Sequence, residues 1–493
     1  MAEQPVYARL LSKRRLRPSS VKNRSLANET ESDYGRVLYS AALRRLQQKT
    51  QVFPLADNAA VRSRLTHSLE VAYVGRLLAL KVVEIVEKRG LSKAWGLAGS
   101  EIPFRNTIET ACLSHDIGNP PFGHFGEYAV RKWFELHGQD TLRAAVGAGL
   151  TEAVGKFNSR CMPDFTQFDG NAQGFRILTR LQWNLDEFGL NLTMSQLAAF
   201  LKYMRAPYEK EGGGRFTKKA GYFLTEEPIV RKIWAGLGLE RGRRHPLAYA
   251  MEASDDIAYC VSDIEDALEK GLVDQDEFKR RLRSIWLKLA SEEKLVDKKY
   301  LVRMLDEEWR RQPDKPRNAR FFSFKTRLTR ELTEVAAKVY VEKHDEILKG
   351  ESPSLLECAK EQRVALDALK KYAQMYIFKA PDAERLELAG FQVVDGLLQH
   401  LSPLLKLHVD AFDAVRAGER VSGLDLERRL FRLLPQKHVL VYEDARARGL
   451  GHLDVKDGVA EWFARAHLVV DFVSGMTDRF ALETYQLLAG IRV

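Results

Sequence analysis

The sequence lacks any apolar run approaching the roughly 20 residues that a membrane-spanning helix requires. Its longest apolar segment, residues 71–90, is interrupted by Arg76, Lys81 and Glu84, which is typical of an amphipathic helix. The basic N-terminus is not followed by the hydrophobic core of a secretory signal. We therefore expect neither a membrane-embedded segment nor an export signal.

Cysteine is also scarce, with four residues in a chain of 493 and no pair at CxxC spacing. Four scattered cysteines are too few to form a disulfide framework for a chain of this length. This usage favours a reducing compartment, and we expect a cytoplasmic protein.

Alternating strand patterns are rare, whereas apolar residues recur every three or four positions along most of the chain. Only residues 221–230 and 436–445 resemble short strands. The pattern predicts a mainly α-helical fold with few short strands and with loop insertions.

Two polar loops rich in Gly or Pro interrupt the helical pattern, but neither is long enough to be an interdomain linker. We also find no internal repeat. The chain is therefore expected to form a basic N-terminal arm at 1–35, one large core at 36–350, and a C-terminal helical subregion at 351–493 packed on that core.

Lysine and arginine outnumber aspartate and glutamate by 77 to 67, a formal net charge of +10. Such an excess suits an anionic partner such as a nucleotide or a nucleic acid. The segment SKRRLRPSSVKNR concentrates basic side chains, and we expect it to be an exposed arm.

His115 and Asp116 are adjacent in the segment CLSHDIGNPPFGHFGE, where a helical pattern ends in a Gly- and Pro-rich turn. An imidazole and a carboxylate at a helix end can both reach one divalent cation, although two ligands do not make a site. His67, on an apolar helix, offers a third ligand. A second pair, His344-Asp345, lies between charged residues without such a turn, and we expect it to be solvated surface.

Asp255, Tyr259 and Asp263 are spaced four residues apart and share one stripe of a helix, drifting by about 40° per step. The rest of this helix is rich in apolar residues. Buried carboxylates must be paired or bound to metal, so the stripe predicts a functional site.

The ordered series His67, His115-Asp116 and a distant aspartate resembles the HD-domain metal-dependent phosphohydrolases. The similarity is closest to the deoxyguanosine triphosphate triphosphohydrolase family, and it covers nearly the whole chain. It is carried by the segments RRLQQKTQVF, RLTHSLEV, HDIGNPPFGHFGE, FDGNAQGFRIL, EASDDIAYCVSDIEDA and SGMTDRFALETY. The resemblance implies a large helical HD-domain fold.

The resemblance further implies one divalent cation per subunit, Mg²⁺, Mn²⁺ or Co²⁺, held by two histidines and two aspartates. These ligands would be His67, His115, Asp116 and Asp255. Asp256 is the alternative to Asp255, but only Asp255 belongs to the stripe described above.

His124 and Glu127 would, by the same resemblance, form the acid/base pair for attack of water on the α-phosphorus of dGTP. The products would be deoxyguanosine and inorganic triphosphate. A spacing of three residues at a helix start lets the Glu127 carboxylate hydrogen-bond to the His124 imidazole and orient it.

Seven residues match positions that the family places around the nucleotide. They are Gln51, Arg64, Asn119, Lys202, Lys219, Tyr259 and Asp263. The arginine and the two lysines would contact phosphates, although Lys218 could replace Lys219. Gln51 would lie beside the base or sugar, and Tyr259 and Asp263 would border the sugar and phosphates. Asparagine at position 119, rather than histidine, favours the branch that prefers dGTP.

Two other functions remain open from the sequence. The same site could act on a broader range of dNTPs or on another nucleotide, or the protein could bind single-stranded nucleic acid with a regulatory or vestigial HD site. Family members commonly assemble, so we expect a homo-oligomer, either a tetramer or a hexamer.

Overall fold

The computed structural model describes residues 4–55, 61–147, 155, 157, 159–212, 215–311, 318–379, 381–449 and 457–491. Within these ranges the chain is helical almost throughout, and the only β-pairing consists of three isolated bridges. None of the helices described is long and apolar enough to cross a membrane. The prediction of a mainly α-helical fold is confirmed.

The helices of the first half are α1 Val6–Leu10, α2 Leu26–Leu38, α3 Ala41–Arg45, α4 Arg64–Lys88, α5 Ser92–Trp95, α6 Glu101–Ser114, α7 Gly123–Val146, α8 Pro163–Thr166, α9 Gly170–Arg176, α10 Met194–Phe200, α11 Glu227–Leu237 and α12 Pro246–Glu269. Those of the second half are α13 Gln275–Glu292, α14 Tyr300–Arg311, α15 Ala319–Glu342, α16 His344–Lys349, α17 Lys360–Tyr376, α18 Pro381–Lys406, α19 Val409–Ala417, α20 Asp425–Phe431, α21 Gln436–Arg448, α22 Asp457–Ser474 and α23 Asp478–Leu488.

The first hydrophobic core is built around α4, which packs against α6, α12 and α15. Val71, Leu78 and Val82 of α4 recur at helical spacing and are fully buried. This packing matters for function because the predicted metal ligands lie on α4, at the end of α6 and on α12.

A second hydrophobic core forms where α7 packs against α18 and α22. Trp133 of α7, Leu401 of α18 and Trp462 of α22 are fully buried in it. Because α7 begins soon after α6 ends, the short loop between them joins the two cores. The predicted catalytic pair lies on the first turn of α7.

The basic N-terminal segment differs from the exposed arm that the sequence suggested. Tyr7 and Arg15 are buried, and the Arg15 guanidinium pairs with the carboxylates of Glu29 and Asp33. Burying a charged group is costly unless it is paired, and these two acids neutralise Arg15 inside the fold.

The two predicted strands are wrong. Residues 436–445 lie within helix α21, and residues 221–230 form turns, a short 3₁₀ helix and the start of α11. Val439, Val441 and Tyr442 of α21 are buried, and this helix packs against α22. Tertiary packing therefore overrides the strand preference of these β-branched and aromatic residues.

The expectation that His344-Asp345 is solvated surface is only half right. Asp345 is exposed, but the His344 imidazole is buried and stacks on Trp95 with ring centroids 3.5 Å apart. Burial lowers the pKa of His344 to about 4, so the ring is neutral at physiological pH. His344 therefore has a packing role, which Asp345 does not share.

Helix α4 approaches α6 closely at Gly75, where a Cβ atom would lie 2.5 Å from Cys112 Sγ. A Gly75→Ala variant should overpack this contact at a cost of about 1–3 kcal/mol, which exceeds the gain in helix propensity of up to about 1 kcal/mol. We expect its melting temperature to fall below that of the wild type.

Gly35 of α2 is the matched control, because a Cβ atom there would meet no atom within 4 Å. Gly35→Ala should equal or exceed the wild type in melting temperature, measured by differential scanning fluorimetry. If Gly75→Ala were as stable as Gly35→Ala, the close helix contact would be refuted.

Candidate metal and catalytic site

Three helices bring the predicted metal ligands together. His67 lies on the first turn of α4, which Ser63 caps in a reciprocal capping box with Thr66. His115 follows the last residue of α6 and precedes Asp116, and Asp255 lies in the middle of α12. The helix end after α6 turns both side chains of the His-Asp pair towards α4 and α12.

The four side chains converge within a few ångströms. The Nε2 atoms of His67 and His115 each lie 3.5 Å from Asp255 Oδ1, and His115 Nε2 lies 3.5 Å from Asp116 Oδ1. Ligand atoms of His67, His115 and Asp116 all lie within 4.8 Å of one another. This cluster could hold one metal ion.

The hydrogen bonding of His115 fits metal coordination. Its Nδ1 lies 2.7 Å from the carbonyl oxygen of Cys112, which requires a proton on Nδ1 and leaves a lone pair on Nε2. The Nε2 atom is buried and has no hydrogen-bond partner among the described residues. A buried nitrogen acceptor facing two carboxylates is an arrangement that a divalent cation would satisfy.

Two cations stabilise the aspartates. Although burial opposes ionisation, Arg64 Nη1, 2.7 Å from Asp116 Oδ2, helps to lower the pKa of Asp116 to about 2. Lys202 Nζ, 3.2 Å from Asp255 Oδ2, likewise outweighs burial and holds the pKa of Asp255 well below its usual value. Both carboxylates are therefore ionised over the physiological pH range.

Asp256 points away from this cluster. Its Oδ1 lies 3.2 Å from Lys370 Nζ on α17, whereas Asp255 faces the two imidazoles. The geometry therefore favours Asp255, the residue chosen from the helical stripe.

The predicted catalytic pair lies on the first turn of α7. His124 Nδ1 is 3.0 Å from Glu127 Oε2, and the side chain of His124 is 77% exposed while that of Glu127 is only 3% exposed. Glu127 Oε1 accepts a hydrogen bond of 2.8 Å from the backbone N–H of Gly170. Although burial opposes ionisation, His124 outweighs it and lowers the pKa of Glu127. A fixed carboxylate thus orients an accessible imidazole.

Glycines allow the loop after α6 to approach α9 closely. A Cβ atom on Gly118 would collide with the backbone of Gly170 and Gly174, and one on Gly170 would collide with the side chain of Asn119. Only glycine has no Cβ, so this backbone contact requires it. The contact brings the loop that follows the predicted ligands His115 and Asp116 against Gly170, whose backbone N–H binds Glu127.

The predicted substrate residues lie in different environments. Asn119 Nδ2 donates a 2.6 Å hydrogen bond to Asp116 Oδ1, so Asn119 contacts a predicted metal ligand directly. Lys219 Nζ lies 3.0 Å from Asp169 Oδ2, at the start of α9. The Oε1 atom of Gln51 is buried and has no hydrogen-bond partner among the residues described.

The Asp255-Tyr259-Asp263 stripe faces the cluster through His67. The rings of His67 and Tyr259 lie edge to face, with centroids 6.5 Å apart. Asp263 is 1% exposed, and neither of its carboxylate oxygens has a hydrogen-bond partner within the described part of the chain. Burial raises the pKa of Asp263 to about 7.

Sequence reasoning missed several residues that shape the site. Lys49 and Asp478 are buried beside the loop that carries Asn119, and Asp169 and Gly170 connect Lys219 to Glu127. Their segments KTQVF, SGMTD and FDGNAQ were among the motifs that suggested the family, but no chemical pattern in them indicated a role. Their contacts join residues far apart in the chain.

The comparisons with known proteins agree with this geometry. The HD domain family matches residues 64–159, and the phosphohydrolase-associated domain family matches residues 452–487. A probable deoxyguanosinetriphosphate triphosphohydrolase of Pseudomonas aeruginosa is 37% identical over 476 residues, covering 94% of this chain and 93% of the relative.

Two further relatives are named deoxyguanosinetriphosphate triphosphohydrolase. The protein of Cronobacter sakazakii is 36% identical and matches over 94% of both chains. The protein of Yersinia pseudotuberculosis is 36% identical and matches over 96% of both chains. The chain therefore belongs to the deoxyguanosinetriphosphate triphosphohydrolase family of HD-domain proteins.

Proposed function

We propose that this protein hydrolyses dGTP to deoxyguanosine and inorganic triphosphate. The observation that carries the proposal is the convergence of His67, His115, Asp116 and Asp255 beside His124, in a chain similar over nearly its whole length to relatives with that named activity. In this reaction, water attacks the α-phosphorus and the bond from phosphorus to the 5′ oxygen breaks.

The four clustered side chains would hold one divalent cation, Mg²⁺, Mn²⁺ or Co²⁺. Carboxylate ligands suit Mg²⁺ and Mn²⁺, and imidazole ligands suit transition-metal ions such as Co²⁺. When bound, such an ion polarises a phosphate oxygen and offsets the negative charge that a nucleophile meets at a triphosphate. Arg64 and Lys202 already lie within 3.2 Å of Asp116 and Asp255, so phosphates bound at the cluster would lie within their reach.

His124 would move a proton during the reaction. The attacking water must lose a proton and the departing 5′ oxygen must gain one, and an exposed imidazole can serve either step. Glu127 would hold the ring in one orientation through the 3.0 Å contact to Nδ1, leaving Nε2 towards the substrate. The Gly170 N–H fixes Glu127 in turn.

Asp263 and Tyr259 would contact the sugar. A buried carboxylate without a hydrogen-bond partner is an acceptor for a sugar hydroxyl group, and a close-packed tyrosine would disfavour a ribose 2′-hydroxyl. Lys219 would approach a phosphate from the side of Glu127, while Gln51 would lie beside the base or sugar.

We also propose that the protein is a homo-oligomer, a tetramer or a hexamer. Large apolar side chains are exposed on the neighbouring helices α4 and α15, namely those of Leu69, Tyr73 and Phe322. Such a patch supports a face that another subunit would cover. Binding of single-stranded DNA is less well supported than dGTP hydrolysis, because Arg15 of the basic segment is buried and paired with Glu29 and Asp33.

A nucleotide panel tests the proposed reaction. With Mg²⁺, Mn²⁺ or Co²⁺, dGTP should yield deoxyguanosine and triphosphate, measured by ion-exchange chromatography with mass detection. EDTA should abolish turnover, because the ligand cluster would lose its cation. Release of pyrophosphate or single phosphates from dGTP would contradict the proposal, and equal rates with all four dNTPs would favour the broader activity.

His124→Ala should lower kcat by about 10²–10⁴-fold, the contribution typical of a positioned acid/base group. His137→Ala is a matched control, because His137 lies on the same helix but packs against Trp133. Steady-state kinetics should show near wild-type turnover for this control. Full activity of His124→Ala would remove His124 from the mechanism.

Asp263→Asn should stabilise the metal-free protein at alkaline pH. The native pKa of about 7 lies above the ordinary value of 3.8, so the native state binds more protons between these values. Stability therefore falls as pH rises from about 4 to 7, and the penalty is complete above pH 7.

In EDTA, the melting temperature of Asp263→Asn should exceed that of the wild type at pH 8 by at least about 2–4 °C, the shift that 1 kcal/mol produces in a large domain. The difference should shrink towards pH 4, where both side chains are neutral. A difference that does not depend on pH would refute the raised pKa. In activity assays, the same variant should raise KM for dGTP.

A further inference from the structure

One buried carboxylate from the C-terminal helix reaches two separate parts of the active site. Asp478 is the first residue of α23 and is 2% exposed. Its Oδ2 accepts hydrogen bonds from the backbone N–H and the hydroxyl of Thr50, at 2.9 and 2.7 Å. Its Oδ1 accepts a hydrogen bond of 3.0 Å from the backbone N–H of Phe122.

Lys49 adds a second link between the same three segments. Its buried Nζ donates hydrogen bonds to the carbonyl oxygens of Asn119 and Ser474, at 2.6 and 2.9 Å. Lys49 and Thr50 are consecutive, and Ser474 and Asp478 lie at the two ends of the short turn between α22 and α23. Both links therefore tie residues 49–50 and 119–122 to this one C-terminal turn.

The linked backbone at Phe122 is in an unusual conformation. Phe122 has a φ of 60°, in the left-handed region that bulky residues avoid, and it immediately precedes helix α7. No side chain caps this helix start. The side chain of Phe122 packs against α18, where a Cβ atom on Gly390 would collide with it. The Asp478 carboxylate thus binds the backbone N–H of a residue held in the left-handed conformation.

The residues that follow each bonded amide are the ones proposed to act on the nucleotide. Gln51 follows Thr50, and His124 lies two residues after Phe122. Within the described structure, Asp478 itself makes no hydrogen bond to the proposed metal ligands or to His124.

We propose that Asp478 is a positioning residue, whose single carboxylate holds segment 49–51, which carries Gln51, and turn 122–124, which carries His124, in mutual register. The inference rests on the proposed dGTP hydrolysis for its kinetic consequence, although its structural part does not. A displacement of about 1 Å at a reacting group can cost on the order of 10²-fold in rate.

Asp478→Asn tests the inference with a side chain of the same shape. An amide has one acceptor oxygen, so its NH₂ group would face a donor, either Thr50 or Phe122. We expect kcat/KM for dGTP to fall about 10²-fold, while the dissociation constant for Mn²⁺ stays within about twofold because the ligands of the ion are untouched.

Asp33→Asn is the matched control for loss of a buried carboxylate. Asp33 Oδ2 accepts from the backbone N–H and the hydroxyl of Thr193, at 3.0 and 2.6 Å, and so repeats the pattern at Asp478. Asp33→Asn should lose only as much activity as the fall in its melting temperature accounts for. If the two variants lost activity and stability equally, Asp478 would be merely structural.

Thr50 provides a milder pair of variants in case Asp478→Asn does not fold. Thr50→Val removes only the hydroxyl bond to Asp478, and Thr50→Ser restores it. We expect Thr50→Val to lose activity and Thr50→Ser to keep that of the wild type. Equal activity of the two would overturn the inference.

Hydrogen exchange followed by mass spectrometry separates this inference from the proposed function. Asp478→Asn should speed exchange in peptides covering both 48–52 and 121–125, whereas Asp33→Asn should change neither. Faster exchange confined to α23, or in only one of the two segments, would overturn the inference. If the wild type hydrolyses no nucleotide, the proposed function fails, and exchange in the two segments still decides whether Asp478 links them.

Discussion

The structure depends on bringing two imidazoles and two carboxylates to one buried point without leaving their charge unbalanced. His67, His115 and Asp255 approach within 3.5 Å, and such a cluster is costly inside a protein unless cations or a metal offset it. Arg64 pairs with Asp116 and Lys202 pairs with Asp255, so the two carboxylates are compensated. The buried Nε2 atom of His115 still has no hydrogen-bond partner among the described residues, and this suits the site to a divalent cation.

The candidate site draws on both hydrophobic cores. The ligands come from α4, from the end of α6 and from α12, and these helices pack directly against one another in the first core. The predicted catalytic pair lies on α7 in the second core, and the loop containing Gly118 connects α7 to the end of α6. Its glycines permit backbone contact with α9, and Asp478 and Lys49 attach the same loop to the C-terminal helices. The region matched by the phosphohydrolase-associated domain family thus contacts both Lys49 and the loop that follows α6.

The sequence predicted those parts of the site that local spacing determines. A stripe at four-residue intervals distinguished Asp255 from Asp256, and three-residue spacing paired His124 with Glu127. It failed where burial depends on distant residues: His344 is buried because Trp95 stacks on it, and α21 is helical because α22 covers it. Asp478 could not be assigned because its partners lie 428 and 356 residues away. No local pattern encodes such a contact.

Anomalous diffraction from crystals grown with Mn²⁺ would locate the cation in the protein. We predict one strong anomalous peak in each subunit, within coordination distance of His67, His115, Asp116 and Asp255, with His124 and Glu127 outside the coordination sphere. A peak bound by other residues, or no peak at a Mn²⁺ concentration that supports turnover, would contradict the account.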